Sequence, residues 1–365
     1  MTTAGRVVRL RDRLAEQGLD ALLISHPQNR RYLSGFTGSA GYLLITPDAT
    51  TIATDFRYFE QAAQQAPNFR LHPITSSQLE AWLPDLLTGL GGKKVGIESE
   101  HLSYAAYKQF TKTVGDLPQA DRPRLVATAG IVEKLRATKE PGELAAIQAA
   151  VDLGDAAFAH LSERLEPGWT EKEAAWEIER YIRENGGDAV SFETIVAGGD
   201  WSALPHAYPR DRRLQEGEAI VIDMGVRLDG YCSDLTRTLF LGKPDNQFRR
   251  VYDIVLAAQL AAEELIEAGM TGEQAHLLAH RVISEAGYGE EFGHGLGHGV
   301  GLEVHEAPRL GRNSSDVLTD GMVVTIEPGI YIKGWGGVRI EDLTVMENGR
   351  LRVLTHAPKT EQTRV

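Results

Sequence analysis

Glu216-Gly217-Glu218-Ala219-Ile220-Val221-Ile222-Asp223 is answered further along the chain by Asp320-Gly321-Met322-Val323-Val324-Thr325-Ile326-Glu327. Each stretch is a glycine turn, then a run of strand-forming apolar residues, then a carboxylate at the strand's end. The helices ahead of the two stretches match as well. Thr170-Glu171-Lys172-Glu173 and Thr271-Gly272-Glu273-Gln274 have capping-box spacing, in which the Thr hydroxyl and the side chain three residues on satisfy each other's backbone donors. Gly186 and Gly287 then supply the helix stops. A repeated helix-then-strand unit predicts two α+β halves related by pseudo-two-fold symmetry, each delivering acidic strand ends to the interface between them.

The first carboxylate lies in residues 219–241, which read as a β-hairpin turning at Asp229-Gly230, a two-residue loop whose twist suits its flanking strands. That loop sets the register: Asp234 faces Gly225, and Asp223 lies two positions along on the same face. Neighbouring carboxylates destabilise a sheet unless water or a cation intervenes, and the apolar Ile220, Val221, Ile222, Leu235 and Leu239 argue against water. In the second half, residues 323–332 and 338–346 form a hairpin-like pair, with Glu327 just before Pro328-Gly329 and Glu341 inside an apolar strand. Arg339 shares the face of Glu341, so an Arg339–Glu341 salt bridge is the structural alternative for that pair. Because Glu327 occupies the repeat position of Asp223, the expectation is that four carboxylates converge.

Between the two acidic pairs runs Gly293-His294-Gly295-Leu296-Gly297-His298-Gly299-Val300-Gly301-Leu302-Glu303-Val304-His305-Glu306. It lacks both the glycine spacing of a dinucleotide fingerprint and the helical His-Glu arrangement of zincin peptidases. Alternate glycines instead allow close backbone approach and leave His298 projecting from a tight strand, where it reads as a metal ligand beside the carboxylates. His206, in Ser202-Ala203-Leu204-Pro205-His206, falls at the corresponding place in the first half; by itself it reads as a loop histidine after a proline turn. Cys232 is the one cysteine of the chain and reads as a small core residue beside the metal shell. Its isolation forbids an intrachain disulfide and a thiolate cage, so metal chemistry must use His and carboxylates.

The rest of the 365-residue chain has ordinary globular composition, 42% hydrophobic and 24% charged, at a length that suits two domains. Residues 6–120 alternate helix and strand signals, as in an open α/β sheet. The pattern breaks around Asp121-Arg122-Pro123-Arg124, and a long helix begins after Lys139-Glu140-Pro141-Gly142, which sets the expected domains at 1–130 and 131–365. A net charge of −13, from 38 Lys+Arg against 51 Asp+Glu, leaves no basic face for nucleic acid. Apolar runs such as Tyr42-Leu43-Leu44-Ile45 fall far short of the roughly 20 residues that span a bilayer. The expectation is a soluble, cytoplasmic protein that engages neither nucleic acid nor membrane.

At these residues the sequence resembles the metal-dependent peptidases with the pita-bread fold, in the Xaa-Pro dipeptidase (prolidase) and Xaa-Pro aminopeptidase branch; methionine aminopeptidase and creatinase are more distant relatives. In an N-terminal creatinase-like α/β domain the likeness rests on Asn29-Arg30-Arg31-Tyr32-Leu33-Ser34-Gly35-Phe36-Thr37-Gly38 and Thr54-Asp55-Phe56-Arg57-Tyr58. In an α+β pita-bread catalytic domain it rests on Ile222-Asp223-Met224-Gly225, Ser233-Asp234-Leu235-Thr236-Arg237-Thr238, His298-Gly299-Val300-Gly301, Ile326-Glu327-Pro328-Gly329 and Val338-Arg339-Ile340-Glu341-Asp342. The resemblance implies two-metal hydrolysis of the Xaa-Pro peptide bond, with Asp223, Asp234, His298, Glu327 and Glu341 as ligands and Asp234 and Glu341 bridging two divalent ions per subunit. Mn2+ is the expected ion, and Co2+ or Zn2+ also suit an oxygen-rich set with one imidazole. It further implies that Glu327, His305 and His206 serve catalysis, that His206, His305 and Arg309 contact substrate, and that Tyr231 and Arg339 stand behind the ligands. Arg309, which matches an arginine near the substrate carboxylate, favours Xaa-Pro dipeptides over the longer Xaa-Pro peptides that an aminopeptidase would take. A catalytically silent binding protein on the same fold would show damaged ligands, and none is damaged here. A homodimer is also implied.

Overall fold

Ala21-Leu22-Leu23-Ile24 forms a strand, β1 (Ala21–Ile24), with all four side chains buried, as expected of a strand covered on both faces. It is joined by β2 (Tyr42–Ile45), β3 (Thr50–Thr54), β4 (Arg70–Pro73), β5 (Lys94–Glu98) and β6 (Arg124–Thr128) in a six-stranded sheet ordered β4-β3-β2-β1-β5-β6. β1 runs antiparallel to β2 and parallel to β5, so the sheet is mixed. Helices α1 (Thr3–Glu16), α2 (Pro27–Ser34), α3 (Phe59–Gln65), α4 (Leu83–Leu86), α5 (Tyr104–Gly115) and α6 (Glu133–Ala137) accompany it. α1 is amphipathic and turns Val7, Leu10 and Leu14 inward. α2 ends at Gly35, whose φ of 81° is the left-handed conformation that a side chain resists, so the glycine-rich stretch after it is a helix stop and turn. The computed structural model describes residues 3–359 of the chain, which divides into two units, Met1–Arg136 and Ala137–Val365.

The second unit opens with α7 (Pro141–Ser162) and α8 (Glu171–Glu184), followed by β7 (Ala189–Val190), β8 (Ile195–Gly198), β9 (Ala219–Met224), β10 (Val226–Leu228), β11 (Tyr231–Cys232) and β12 (Leu235–Phe240). The plan then recurs: α9 (Asn246–Leu265) and α10 (Gly272–Glu285) precede β13 (Gly297–Gly299), β14 (Glu306–Leu310), β15 (Val323–Ile326), β16 (Gly329–Ile332), β17 (Gly336–Arg339), β18 (Asp342–Glu347) and β19 (Arg350–Val353). Both capping boxes form, at Thr170 with Glu173 and at Thr271 with Gln274. Each half has its own core. Ile178 and Ile182 of α8 meet Val196, Ile220, Ile222 and Leu239 in the first, while Val255, Ala279 and Ile283 meet Val324, Ile326 and Ile340 in the second. This is the α+β pita-bread arrangement, with a creatinase-like α/β unit ahead of it.

The hairpins depart from the expectation in one respect. The register set by Asp229-Gly230 is the observed one, pairing Leu228 with Tyr231 and Thr236 with Asp223. The ladder, however, is broken into β10–β11 and β9–β12 at Gly225, where a Cβ would lie 2.2 Å from the carbonyl oxygen of Ser233. The second hairpin breaks likewise into β15–β18, with Ile326 opposite Asp342, and β16–β17, with Gly329 opposite Arg339. Glu327, Pro328, Ile340 and Glu341 fall in the gap. Pro328 has no N–H for a ladder, and a buried carboxylate sits poorly inside continuous pairing. The sheets therefore come apart where the acidic side chains need room.

Candidate metal centre

Asp223 lies near the end of β9, Asp234 immediately before β12, Glu327 immediately after β15 and Glu341 immediately before β18. His298 occupies the middle of β13, and only glycine neighbours allow its backbone there. A Cβ on Gly297 would lie 2.0 Å from the carbonyl oxygen of Thr325, and one on Gly299 would lie 2.2 Å from that of Ala307. Asp234, His298 and Glu341 present ligand atoms all within 4.8 Å of one another. His298 Nε2 is 3.3 Å from Glu327 Oε1 and 3.7 Å from Asp234 Oδ2. Thr325 ties two of these together, because its hydroxyl accepts from the His298 N–H (3.0 Å) and donates to Glu327 (3.1 Å).

This concentration of charge strains the acids. Burial pushes the Asp234 carboxyl well above the usual carboxylate range, and the charges of Glu341, Asp223 and Glu327 push it further. Glu341 is raised in the same way by burial and then by Glu327 and Asp223. Glu327 is pushed up to about 7 by burial, with Arg339 opposing the shift and Asp223 adding to it. Asp223 Oδ1 is buried and has no hydrogen-bond partner among the described residues. Burial also lowers the pKa of His298, which keeps its ring neutral. Its Nδ1 lies 3.1 Å from the carbonyl oxygen of Gly299, which can only accept; the proton therefore sits on Nδ1, and the Nε2 lone pair faces the carboxylates. Oxygen donors short of positive charge, one orphaned buried oxygen and an imidazole in the ligating tautomer fit divalent cations.

Arg339 pairs with Asp223 rather than with Glu341, which corrects the structural alternative drawn from the sequence. Its Nη2 donates to Asp223 Oδ2 (2.5 Å), its Nη1 to Tyr331 Oη (2.7 Å) and the Pro205 carbonyl (3.2 Å), and its Nε to Thr236 Oγ1 (3.1 Å). Glu341 instead accepts from Thr236 Oγ1 at 2.7 Å. The ladder break between Arg339 and Glu341 removes the strict alternation that put them on one face. Behind Arg339, the Tyr331 hydroxyl donates to His294 Nε2 (3.0 Å), because His294 Nδ1–H is committed to the Gly295 carbonyl (2.7 Å). Sequence reasoning missed Tyr331 and Thr236 and counted His294 without giving it a role; the only signal was His294's place in the glycine-histidine stretch. Tyr231 donates to Glu143 of α7 at 3.1 Å. The Cys232 thiol is buried and pushed up to about 12 by that burial, which makes it unreactive.

Three of the named side chains lie at the solvent side of this buried floor. His305 is exposed, and its ring centroid is 4.3 Å from that of His298. His206 is exposed in the loop held by the Arg339 bond to the Pro205 carbonyl. Arg309, also exposed, lies directly opposite His298 in the β13–β14 register. An anionic, buried cluster with imidazoles and a guanidinium at its mouth can hold cations and present donors to an anionic or carbonyl-bearing ligand.

Residues 145–348 match the sequence model of metallopeptidase family M24, and residues 6–138 match that of the creatinase/prolidase N-terminal domain. An Xaa-Pro dipeptidase of Pyrococcus horikoshii is 36% identical over 95% of this chain and 96% of its own. Among solved structures, an Xaa-Pro dipeptidase from Bacillus anthracis superposes with a TM-score of 0.94 at 39% identity, covering 99% of both chains. An X-Pro aminopeptidase from Thermotoga maritima gives 0.88 at 34% identity, covering 98% of this chain and 99% of that one. Among the described residues no helix is long and apolar enough to cross a membrane.

Proposed function

This chain belongs to metallopeptidase family M24 and carries a creatinase/prolidase N-terminal domain, and from that premise we propose that it is an Xaa-Pro dipeptidase that hydrolyses the bond between an N-terminal residue and proline. The observation that carries the reading is the convergence of Asp234, His298 and Glu341 within 4.8 Å at the end of broken strands. Asp223, Asp234, His298, Glu327 and Glu341 would hold two divalent ions, Mn2+ by preference with Co2+ or Zn2+ as substitutes. Bound there, such ions supply Lewis acidity that acidifies water and polarises a carbonyl.

The chain's own groups do the rest. Glu327 handles the proton of the attacking water. His305 and His206 donate to the oxygen on which charge develops or to the departing prolyl nitrogen. Arg339 fixes Asp223, and Tyr231 stands further back. An Xaa-Pro bond is a tertiary amide with no N–H to grip, so the substrate is recognised elsewhere, and a guanidinium binding both oxygens of the terminal carboxylate suits a dipeptide. Arg309, across the sheet from His298, is that guanidinium. The same reading takes the enzyme as a cytoplasmic homodimer, supported by the family likeness. The likeness to the Thermotoga maritima aminopeptidase favours the second reading, in which longer Xaa-Pro peptides are trimmed. Release of proline from Ala-Pro, compared with release of alanine from Ala-Pro-Ala under added Mn2+, separates the two. A preference for the tripeptide overturns the dipeptidase reading.

A further inference from the structure

The segment after β19, residues 354–359, is stitched to the ligand-bearing strands by two cations. Arg237 of β12 is 1% exposed, and each of its five N–H bonds has an oxygen to meet. Nη1 donates to the carbonyls of Thr236 (2.9 Å) and Glu341, Nη2 to Asp342 Oδ1 (2.6 Å) and the Ala357 carbonyl (2.8 Å), and Nε to the Pro358 carbonyl (3.3 Å). Lys359 arrives from the segment itself. Its Nζ lies 2.5 Å from Asp342 Oδ2 and 3.2 Å from the nearer oxygen of Glu263. Asp342, 0% exposed, thus gives one oxygen to each cation. Asp155 of α7 holds the segment in place by accepting from the backbone N–H groups of His356 (2.6 Å) and Ala357 (3.1 Å). Between these anchors sits Glu341, whose N–H donates to the Thr236 carbonyl at 3.0 Å and whose own carbonyl accepts from Arg237.

We propose that Lys359 is a positioning residue for the metal centre: it pins Asp342 from the side opposite Arg237, and thereby fixes the guanidinium that holds the backbone of Glu341. Residues 354–359 are then part of the scaffold of the ion site. This rests on the reading above only in taking Glu341 as a ligand. Asp342 is fully buried, and with Lys359 gone it has one cationic partner for two oxygens. It draws Arg237 towards itself, away from the Glu341 carbonyl, and the carboxylate that carbonyl orients loses its fixed origin. Electrostatics alone has the opposite sign, because removing a cation near a cluster of carboxylates strengthens binding of a divalent ion. Weaker binding therefore reports positioning.

The test is Mn2+ affinity of the full chain by titration calorimetry, with far-UV circular dichroism to show that each variant is folded. Lys359→Met is expected to bind about 10-fold more weakly than wild type, the scale of lost outer contacts at metal sites, while Lys359→Arg recovers most of the loss. Arg352→Ala breaks an exposed pair with Glu347 (2.8 Å) just before the same segment and is expected to leave affinity unchanged. If Lys359→Met does not fold, Arg237→Lys keeps the charge but cuts the donors from five to three, and the same loss is expected of it. Wild-type or tighter affinity in the folded variant, or an equal loss in Arg352→Ala, overturns the inference. A wild-type chain that binds no Mn2+ overturns the metal-site reading itself, and the inference with it.

Discussion

Removing the guanidinium of Arg309 tests how this site tells a dipeptide from a longer peptide. In Arg309→Ala the residue across from His298 keeps its backbone pairing but loses its charge. A charge-assisted hydrogen bond to a carboxylate is worth about 1.5–3 kcal/mol where water is excluded, whereas an exposed ion pair is worth about 0–1 kcal/mol. Arg309 is exposed, and bound substrate shields it only in part, so the loss lies between these limits, at about 1–2 kcal/mol. That corresponds to a fall of roughly 5- to 30-fold in kcat/KM for Ala-Pro. Ala-Pro-Ala offers a neutral amide at the same place, so its kcat/KM should change less than about 3-fold. Steady-state hydrolysis of both substrates at saturating Mn2+ decides the matter, and added NaCl should shrink the wild-type preference for Ala-Pro by screening the pair. An equal fall for the two substrates, or a preference of the wild type for the tripeptide, refutes the assigned role of Arg309.

Three other outcomes follow from the geometry. His298→Ala should lose bound ion, while His206→Ala and His305→Ala keep it and lose on the order of 10²-fold in kcat; metal analysis beside kinetics shows whether the histidines are divided in this way. Asp234→Asn and Glu341→Gln should each lower metal occupancy along with turnover, and chelation of the wild type should abolish activity until a divalent ion is returned; full activity in metal-free protein would sink the ion site. His276 concerns stability and its pH dependence. Its ring is 0% exposed, neither nitrogen has a hydrogen-bond partner among the described residues, and burial lowers its pKa to about 4. The unfolded chain therefore takes up a proton there before the folded one does, so stability is lost as pH falls from about 6.5 towards 4. Replacing it in His276→Leu should reduce the difference in unfolding free energy between pH 7.5 and pH 4.5 by about 2–3 kcal/mol, read from urea unfolding at the two pH values; an unchanged difference would mean that His276 does not titrate as its burial demands.

Local rules account for what the linear chain made plain. A capping box needs only four consecutive residues, a two-residue turn at Asp229-Gly230 sets a register by counting, and a glycine on either side of His298 announces that something comes close. From those came the pseudo-symmetric halves, the register of the first hairpin, and the carboxylates at strand ends. The resemblance added the proposed ligand set and its chemistry. Tertiary structure decided which partner each charged group takes. Arg339 and Glu341 are two residues apart, yet Arg339 binds Asp223 because the ladder opens between them and another strand brings a carboxylate nearer. Tyr331 and His294 enter the site through strand pairing and a side-chain bond, and Arg237 gathers oxygens from Thr236, Glu341, Asp342, Ala357 and Pro358. Backbone periodicity is written in neighbouring residues, so it can be read from them. The partner of a buried charge is whichever group the fold carries within about 3 Å, and at that range position in space outweighs position in the chain.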